Sequence, residues 1–401
     1  MSMTDIGVAV IGAGMAGKAH AAGYRTAPAL YDSILPPIRL VSIADAYEPL
    51  ADATARRFGF GRHDTSWQAI VEADDIDVVS VVVANSLHRE IVDALLAAGK
   101  HVLCEKPLSD SLDDAHAMVS AASAASAIAR IGLTYRRSPG IAHIRDLVQS
   151  GRLGRVLNVS GQYWTDYGCD PDAPISWRYK GPQGSGALAD VGSHLTYLAE
   201  FVVGSELSSV HGGTLSTVIP TRPKPLGVVV GHEGGAVSTA REDVENDDVA
   251  AFSGAFSGGG TATLQVSRVA AGHANSLSFE VFGEKGSAAF DLRHPGEFQL
   301  FLPDADDAGY RTVTLGPGHP YWRGGLAMDA PGVGVGQNDG FVFQARAFLE
   351  EVAGIPEESS LPRNAGFEDG LHNIQLIDAV AQSARLGGAT VSVPSSITVT
   401  T

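Results

Sequence analysis

Short apolar runs alternate with amphipathic stretches over the first ~135 residues. IGVAVIG (6–12), RLVSIAD (39–45), VVSVVVA (78–84), HVLC (101–104) and IARIGL (128–133) are near-continuous apolar segments. A strand covered on both faces reads this way. Between them lie helical patterns such as LHREIVDALLAAGK (87–100), with Ile91, Leu95 and Ala98 on one stripe and Gly99 as a stop signal. Strand and helix in strict alternation predict an α/β domain with a doubly wound parallel sheet. After residue ~150 the pattern changes. RVLNVSGQYW, VAAFSGAF, TATLQVSRV, LSFEVFG, SAAFDL, EFQLFL and RTVTL are strand-like, with GGG (258–260) and GEKG (283–286) as hairpin turns. They predict a C-terminal α+β domain with a mostly antiparallel sheet. Segments 220–247 and 316–340 read as irregular loops, and helical patterns return at 341–354 and 367–386. The division expected is 1–135 and 136–401.

Composition narrows the function classes. The chain has 401 residues, a length of two or three domains, and 44% apolar residues, enough for a sizeable core. Forty-five acids against 28 bases give a formal charge of −17. An acidic surface argues against nucleic acid and against an anionic membrane as partners. No apolar run reaches the ~20 residues of a bilayer span, and the N-terminus MSMTDIGVAVIGAG lacks the basic start of a signal peptide. Two cysteines, Cys104 and Cys169, make no disulfide framework and fit a cytoplasmic protein. Cys104 reads as a small buried side chain.

The chemistry starts at Gly12-Ala13-Gly14-Met15-Ala16-Gly17, a G-x-G-x-x-G between an expected strand and a helix beginning at Met15. The first glycine permits the turn, the second admits a pyrophosphate, and the third allows close helix packing. Asp45 ends the next apolar run. An acid there accepts ribose hydroxyls and repels a 2′-phosphate, which favours NAD over NADP. It lies 28 residues beyond Gly17 rather than about 20. Asn85 to His88 follow the third run, and Glu105-Lys106-Pro107 the fourth. Parallel strands share one carboxyl edge, so Lys106 stands on the edge of the glycine turn; a lysine facing water reads equally well. Asp190 and His194 are four apart at the start of an amphipathic pattern, on one face. Such a pair by itself is also a common cap or exposed ion pair. No third His or Cys nearby completes a metal site.

GAGMAG (12–17), NSLH (85–88), EKP (105–107), TYRR (134–137) and DVGSH (190–194) together resemble the Gfo/Idh/MocA oxidoreductases, in order and separation across nearly the whole chain. The resemblance implies a Rossmann domain at 1–135 and, at 136–401, a substrate-binding domain whose open sheet builds a homodimer or homotetramer. It implies oxidation of a sugar or cyclitol hydroxyl with NAD. Lys106, Asp190 and His194 fall on the family's catalytic positions, and Asn85, His88, Glu105 and Lys106 line its nicotinamide side. Where the family has proline before the asparagine, Ala84 stands here, and the 220–247 and 316–340 segments are long for it. ISWRYK (175–180), GSGALADVGSH (184–194) and GHPYW (318–322) resemble the levoglucosan-dehydrogenase-type branch, which oxidises the C3 hydroxyl of an anhydro-sugar or pyranoside.

The reaction so implied has His194 remove the hydroxyl proton, Asp190 orient His194, and Lys106 stabilise the alkoxide; Lys106 and His194 could exchange roles. Tyr135, Arg136, Trp164, Asp166, Trp177, Arg178 and His319 are of types that bind sugars, though each type equally suits a core or a solvent-facing position. Two other outcomes keep the same fold. An NAD-dependent glycoside hydrolase releases aglycone without net NADH. A sensor binds the nicotinamide without turnover.

Overall fold

Two of the apolar runs near the N-terminus become strands buried along their whole length, Ile6–Ile11 and Val78–Val81. The computed structural model describes residues 5–30, 34–181, 186–227, 235–303, 309–322, 326–328 and 330–395. They divide into Met1–Arg137 with Leu315–Leu371, and Ser138–Thr314 with His372–Thr401.

In the first unit β1 (Ile6–Ile11), β2 (Ile38–Ala44), β3 (Arg62–Asp64), β4 (Val78–Val81), β5 (His101–Glu105) and β6 (Ala129–Gly132) form a parallel sheet in the order β3-β2-β1-β4-β5-β6. This is the Rossmann order, with the switch point at β1 and β4. Helices α1 (Met15–Leu30), α2 (Glu48–Phe58), α3 (Trp67–Glu72), α4 (His88–Ala97) and α5 (Leu112–Ala124) supply crossovers. Helix α1 runs beyond the glycine turn's first coils and takes in part of the long connection before β2. Helix α4 stops at Ala97, so Ala98 is an exposed cap rather than part of the buried stripe, and Gly99 takes φ +74°. Strand β3, Arg-His-Asp on the sheet edge, carries no apolar signal and was not expected.

In the second unit α6 (Pro139–Gln149) and α7 (Ser193–Val203) accompany a nine-stranded sheet. Its strands are β7 (Val156–Trp164), β8 (Leu207–Ser216), β11 (Val249–Phe256), β12 (Thr261–Ser267), β13 (Ser276–Gly283), β14 (Gly286–Asp291), β15 (Glu297–Phe301), β16 (Arg311–Thr314) and β17 (Val391–Ser392). The pairings are antiparallel except that of β7 with β12. Burial alternates along β11, the mark of a sheet with one face covered. Both hairpin turns fall where the glycines predict, and Gly283 pairs with Gly286. The expectation of an irregular 220–247 segment is corrected in part. It contains a two-stranded ribbon, β9 (Thr221–Pro225) with β10 (Val237–Asp243), while 228–234 lie outside the described residues. The ribbon is missed because its strands are polar and half exposed. Helix α8 (Gln337–Val352) starts four residues earlier than its apolar pattern, where Gly336 opens it, and residues 323–325 and 329 of the adjoining loop lie outside the description.

Two close packings fix these units. In the first, α1 meets α8 through Gly23, where a Cβ would stand 2.7 Å from the Phe341 carbonyl oxygen. Helix α9 (Phe367–Arg385) follows α8 in the chain. In the second unit, fully buried Arg268 donates from Nε to Asp248 Oδ1 at 2.8 Å and from Nη2 to Asn246 Oδ1 at 2.8 Å. Asp248 Oδ2 accepts the Val218 and Ile219 N–H groups. The Tyr179 ring stands 4.1 Å from the Arg222 guanidinium and 4.4 Å from that of Arg268. Removing one partner strands a desolvated charge, so Asp248→Ala is expected to lower the unfolding free energy by about 3–5 kcal/mol. Denaturant titration of the two proteins measures it; a loss under about 1 kcal/mol contradicts the account.

Candidate active site

The glycine turn is a packing necessity before it is a binding site. Gly12 has φ +104°, and a Cβ on it would meet the Val82 carbonyl oxygen at 2.0 Å. A Cβ on Gly17 would lie 1.8 Å from the Gly12 carbonyl oxygen, so α1 could not seat on the turn. Gly14 differs: a Cβ there meets nothing within 4 Å. The open space above Gly14, at the N-terminus of α1 beside Met15 and Ala16, is where a pyrophosphate would approach the backbone. Asp45 follows β2. Its Oδ2 accepts the Ala13 N–H at 2.9 Å, and its Oδ1 accepts the Tyr47 N–H at 2.9 Å. The carboxylate is thereby tied to the glycine turn. These residues fit a bound dinucleotide.

Further along the same edge, Asn85 opens a 3-10 turn, Asn85–Leu87. Ala84 has φ −63°, within the range that a proline would fix, so the position suits the family's proline as well. His88 lies inside the protein. It is 0% exposed, with Nδ1 3.1 Å from the Pro107 carbonyl oxygen and Nε2 3.2 Å from that of Val83. Burial pushes its pKa down, and a neutral ring carries a single N–H, which serves one of these carbonyls at a time. The ring is packed between the loop after β4 and the one after β5.

Glu105 is also turned into the protein. Its Oε1 meets His20 Nε2 at 2.9 Å, and its Oε2 accepts the Lys106 backbone N–H at 3.1 Å. Burial raises the carboxyl pKa, but His20 and Lys106 more than offset this, and the net shift is downward. His20 Nδ1 and the Tyr24 hydroxyl both reach Ser80 Oγ at 2.9 Å. Gly132 leaves room for this group, since a Cβ there would lie 2.6 Å from Glu105 Oε1. The network anchors the backbone that carries Lys106, whose peptide to Pro107 is cis. The sequence analysis missed His20, Tyr24 and Ser80. A histidine three residues beyond Gly17, on the inner face of α1, was the available signal. Tyr135 and Arg136 lie in the turn Thr134–Arg137, held by Thr134 Oγ1 to Gln344 Oε1 (2.8 Å) and by buried Arg137 to Asn364. His319 is buried against Tyr321 and Trp322, with ring centroids 4.9 and 6.2 Å away.

In the second unit Asp190 and His194 do not share one regular α-helix. Leu188–Gly192 is a π-turn, and His194 is the second residue of α7. Such turns are rare and concentrate at functional sites. Asn373 Nδ2 donates to the Ser193 carbonyl at 3.1 Å where the two helical forms join. Asp190 Oδ2 accepts the Tyr167 hydroxyl at 2.8 Å, and the His194 ring lies 6.1 Å from that of Tyr163. Neither tyrosine was singled out in the sequence. Trp164 ends β7, opposite Ser267 and Ser276, and Asp166 lies two residues on. Trp177 is 44% exposed with the Arg178 guanidinium 4.4 Å from its ring, while the Arg178 carbonyl accepts from Asn246 and Arg268. Among the described residues no three His, Cys, Asp or Glu side chains are grouped to hold a metal ion, and no helix is long and apolar enough to cross a membrane.

A parallel sheet in Rossmann order with a glycine turn after its first strand defines a dinucleotide-binding fold. Residues 6–133 match the model of the oxidoreductase family with an NAD-binding Rossmann fold, and residues 141–289 match the GFO/IDH/MocA C-terminal domain. The chain is 36% identical to levoglucosan dehydrogenase of Pseudarthrobacter phenanthrenivorans over 95% of its own length and 97% of that protein's. It is 30% identical to inositol 2-dehydrogenase of Rhizobium meliloti over 50% of this chain and 56% of that one. A solved levoglucosan dehydrogenase in complex with NADH and L-sorbose superposes with TM-score 0.86 at 33% identity, covering 98% of this chain and 100% of that one. The chain belongs to the Gfo/Idh/MocA family and is an NAD-dependent dehydrogenase.

Because a side chain on Gly14 points into open space, Gly14→Val is expected to fold normally yet bind NADH at least about tenfold more weakly, a difference of about 1.4 kcal/mol. Thermal melting without ligand and NADH fluorescence titration separate the two effects. A variant that binds as tightly as the parent leaves the pyrophosphate elsewhere.

Proposed function

We propose that this dehydrogenase transfers hydride between a hydroxyl of a sugar or cyclitol, of the pyranoside or anhydro-sugar type, and NAD. The observation that carries this reading is likeness to levoglucosan dehydrogenase through 95% of the chain, spanning both units. In this reading Lys106, Asp190 and His194 act on one substrate hydroxyl. His194 takes the hydroxyl proton, Asp190 orients the imidazole, and Lys106 donates a charge-assisted hydrogen bond to the oxygen as negative charge develops. When bound, NAD supplies the hydride acceptor. Asn85 and the Lys106 loop flank the ring, while Tyr135, Arg136, Trp164, Asp166, Trp177, Arg178 and His319 remain candidates for contacts to an uncharged sugar. Residues 1–135 bind the cofactor, and 136–401 supply substrate contacts and a homodimer or homotetramer interface in the cytoplasm.

Asp45 argues for NAD over NADP, since its carboxylate, held beside the glycine turn, repels a 2′-phosphate. A panel of pyranosides, anhydro-sugars and inositols, each with NAD+ and NADP+, tests the reading; aglycone release without NADH, or binding without turnover, overturns it. Lys106→Ala and His194→Ala are expected to reduce kcat by about 10²–10⁴-fold, and near-parental rates in both remove them from the chemistry. Asp45→Ser is expected to move the NAD-to-NADP ratio of kcat/KM toward NADP by about tenfold or more. An unchanged ratio shows that another residue selects the cofactor.

A further inference from the structure

We propose that Tyr167 is a positioning residue of this dehydrogenase, donating its hydroxyl hydrogen to Asp190 Oδ2 and so aiming the carboxylate that supports His194. The inference rests on the catalytic reading of Asp190 and His194 above and adds a residue to it.

The bond is 2.8 Å long, and both of its ends are mounted rigidly. On the tyrosine side, the Gly168 N–H donates to the Arg268 carbonyl at 2.8 Å. Only glycine fits there, because a Cβ would stand 2.8 Å from that oxygen. The fully buried Arg222 donates to the carbonyls of Gly168 and Asp170, clamping the chain after Tyr167. On the aspartate side, the Asp190 N–H donates to the Gly186 carbonyl at 2.8 Å. Asp247 holds the turn that leads there: its carbonyl accepts the Ala187 N–H at 2.9 Å and its Oδ2 the Leu188 N–H at 2.8 Å. Gly186 packs so closely that a Cβ would fall 2.0 Å from Asp247 Oδ1. Arg268, which braces the tyrosine side, is paired with Asp248. The two ends of the Tyr167–Asp190 bond are thus fixed by consecutive residues, Asp247 and Asp248.

Tyr167 cannot serve as a base here. Burial, and then the negative charge of Asp190, push its phenol pKa well above the ordinary value, so it remains a donor. The other titratable groups acting on the phenol are Arg268 and Tyr179. His194 follows Asp190 in the chain, and Asp247 and Asp248 lie on the bracing loop. A donor to a carboxylate favours its charged form. Without that donor Asp190 protonates at higher pH, and the acid limb of the rate profile moves up.

The experiment compares the parent, Tyr167→Phe, Asp190→Asn and the double variant. The assay uses NAD+ with levoglucosan, or with the panel sugar of highest rate. Tyr167→Phe is expected to lose about 10–100-fold in kcat, with the NAD+ KM unchanged and the acid limb displaced upward. In the Asp190→Asn background the same change is expected to cost less than about threefold, because the interaction is already altered. A 3-fluorotyrosine at position 167 keeps the ring, strengthens the donor and moves the acid limb down. Equal losses of kcat in both backgrounds, or an acid limb unmoved by either replacement, overturn the proposal. If Lys106→Ala and His194→Ala retain activity, the catalytic reading itself falls; if they are inactive while Tyr167→Phe matches the parent, only this inference does.

Discussion

Parallel pairing is the constraint on which the first unit rests. Two parallel strands cannot be joined by a tight turn, so every connection crosses over the sheet and all carboxyl ends emerge on one edge. Five loops of different character therefore meet there: the glycine turn after β1, Asp45 after β2, Asn85 after β4, Lys106 after β5 and the Thr134–Arg137 turn after β6. The same geometry brings backbone against backbone. Gly12 beside Val82 and Gly17 beside Gly12 tolerate no Cβ, and the close seat of α1 on the sheet follows. Gly14 belongs to the same motif for a different reason, since the space above it is left open.

Buried polar groups do the positioning in both units. In the first, His20 and Ser80 hold Glu105, and Glu105 holds the Lys106 N–H. His88 is buried between the carbonyls of two loops. In the second, Arg268 and Asp248 are both fully buried, and their cost of desolvation is repaid by a full set of partners. The loop that carries Asp248 also carries Asp247, which holds the π-turn of Asp190. Charges buried in this way make few alternative arrangements available, so the site side chains inherit well-defined directions.

Family membership places these devices in context. The chain aligns with levoglucosan dehydrogenase through both units. What this chain adds is how the backbone of Lys106 and the carboxylate of Asp190 are held.

The amino-acid sequence by itself determined the local grammar. Continuous apolar runs gave away β1, β4 and β5, since both faces of a parallel sheet are covered. A strand-like stretch ahead of a glycine turn gave away β11. The glycine spacing, Asp45, Lys106, Asp190 and His194 stood out because their chemistry is carried by residue type and short-range spacing. Only the tertiary structure decided that His88 and Glu105 face inward, that the polar edge strand β3 and the β9–β10 ribbon exist, and that Tyr167 reaches Asp190. These outcomes depend on contacts such as His20 with Glu105, 85 residues apart, and Tyr167 with Asp190, 23 apart. Local periodicity records which face of an element is apolar; it carries no record of which distant polar group completes a buried hydrogen bond.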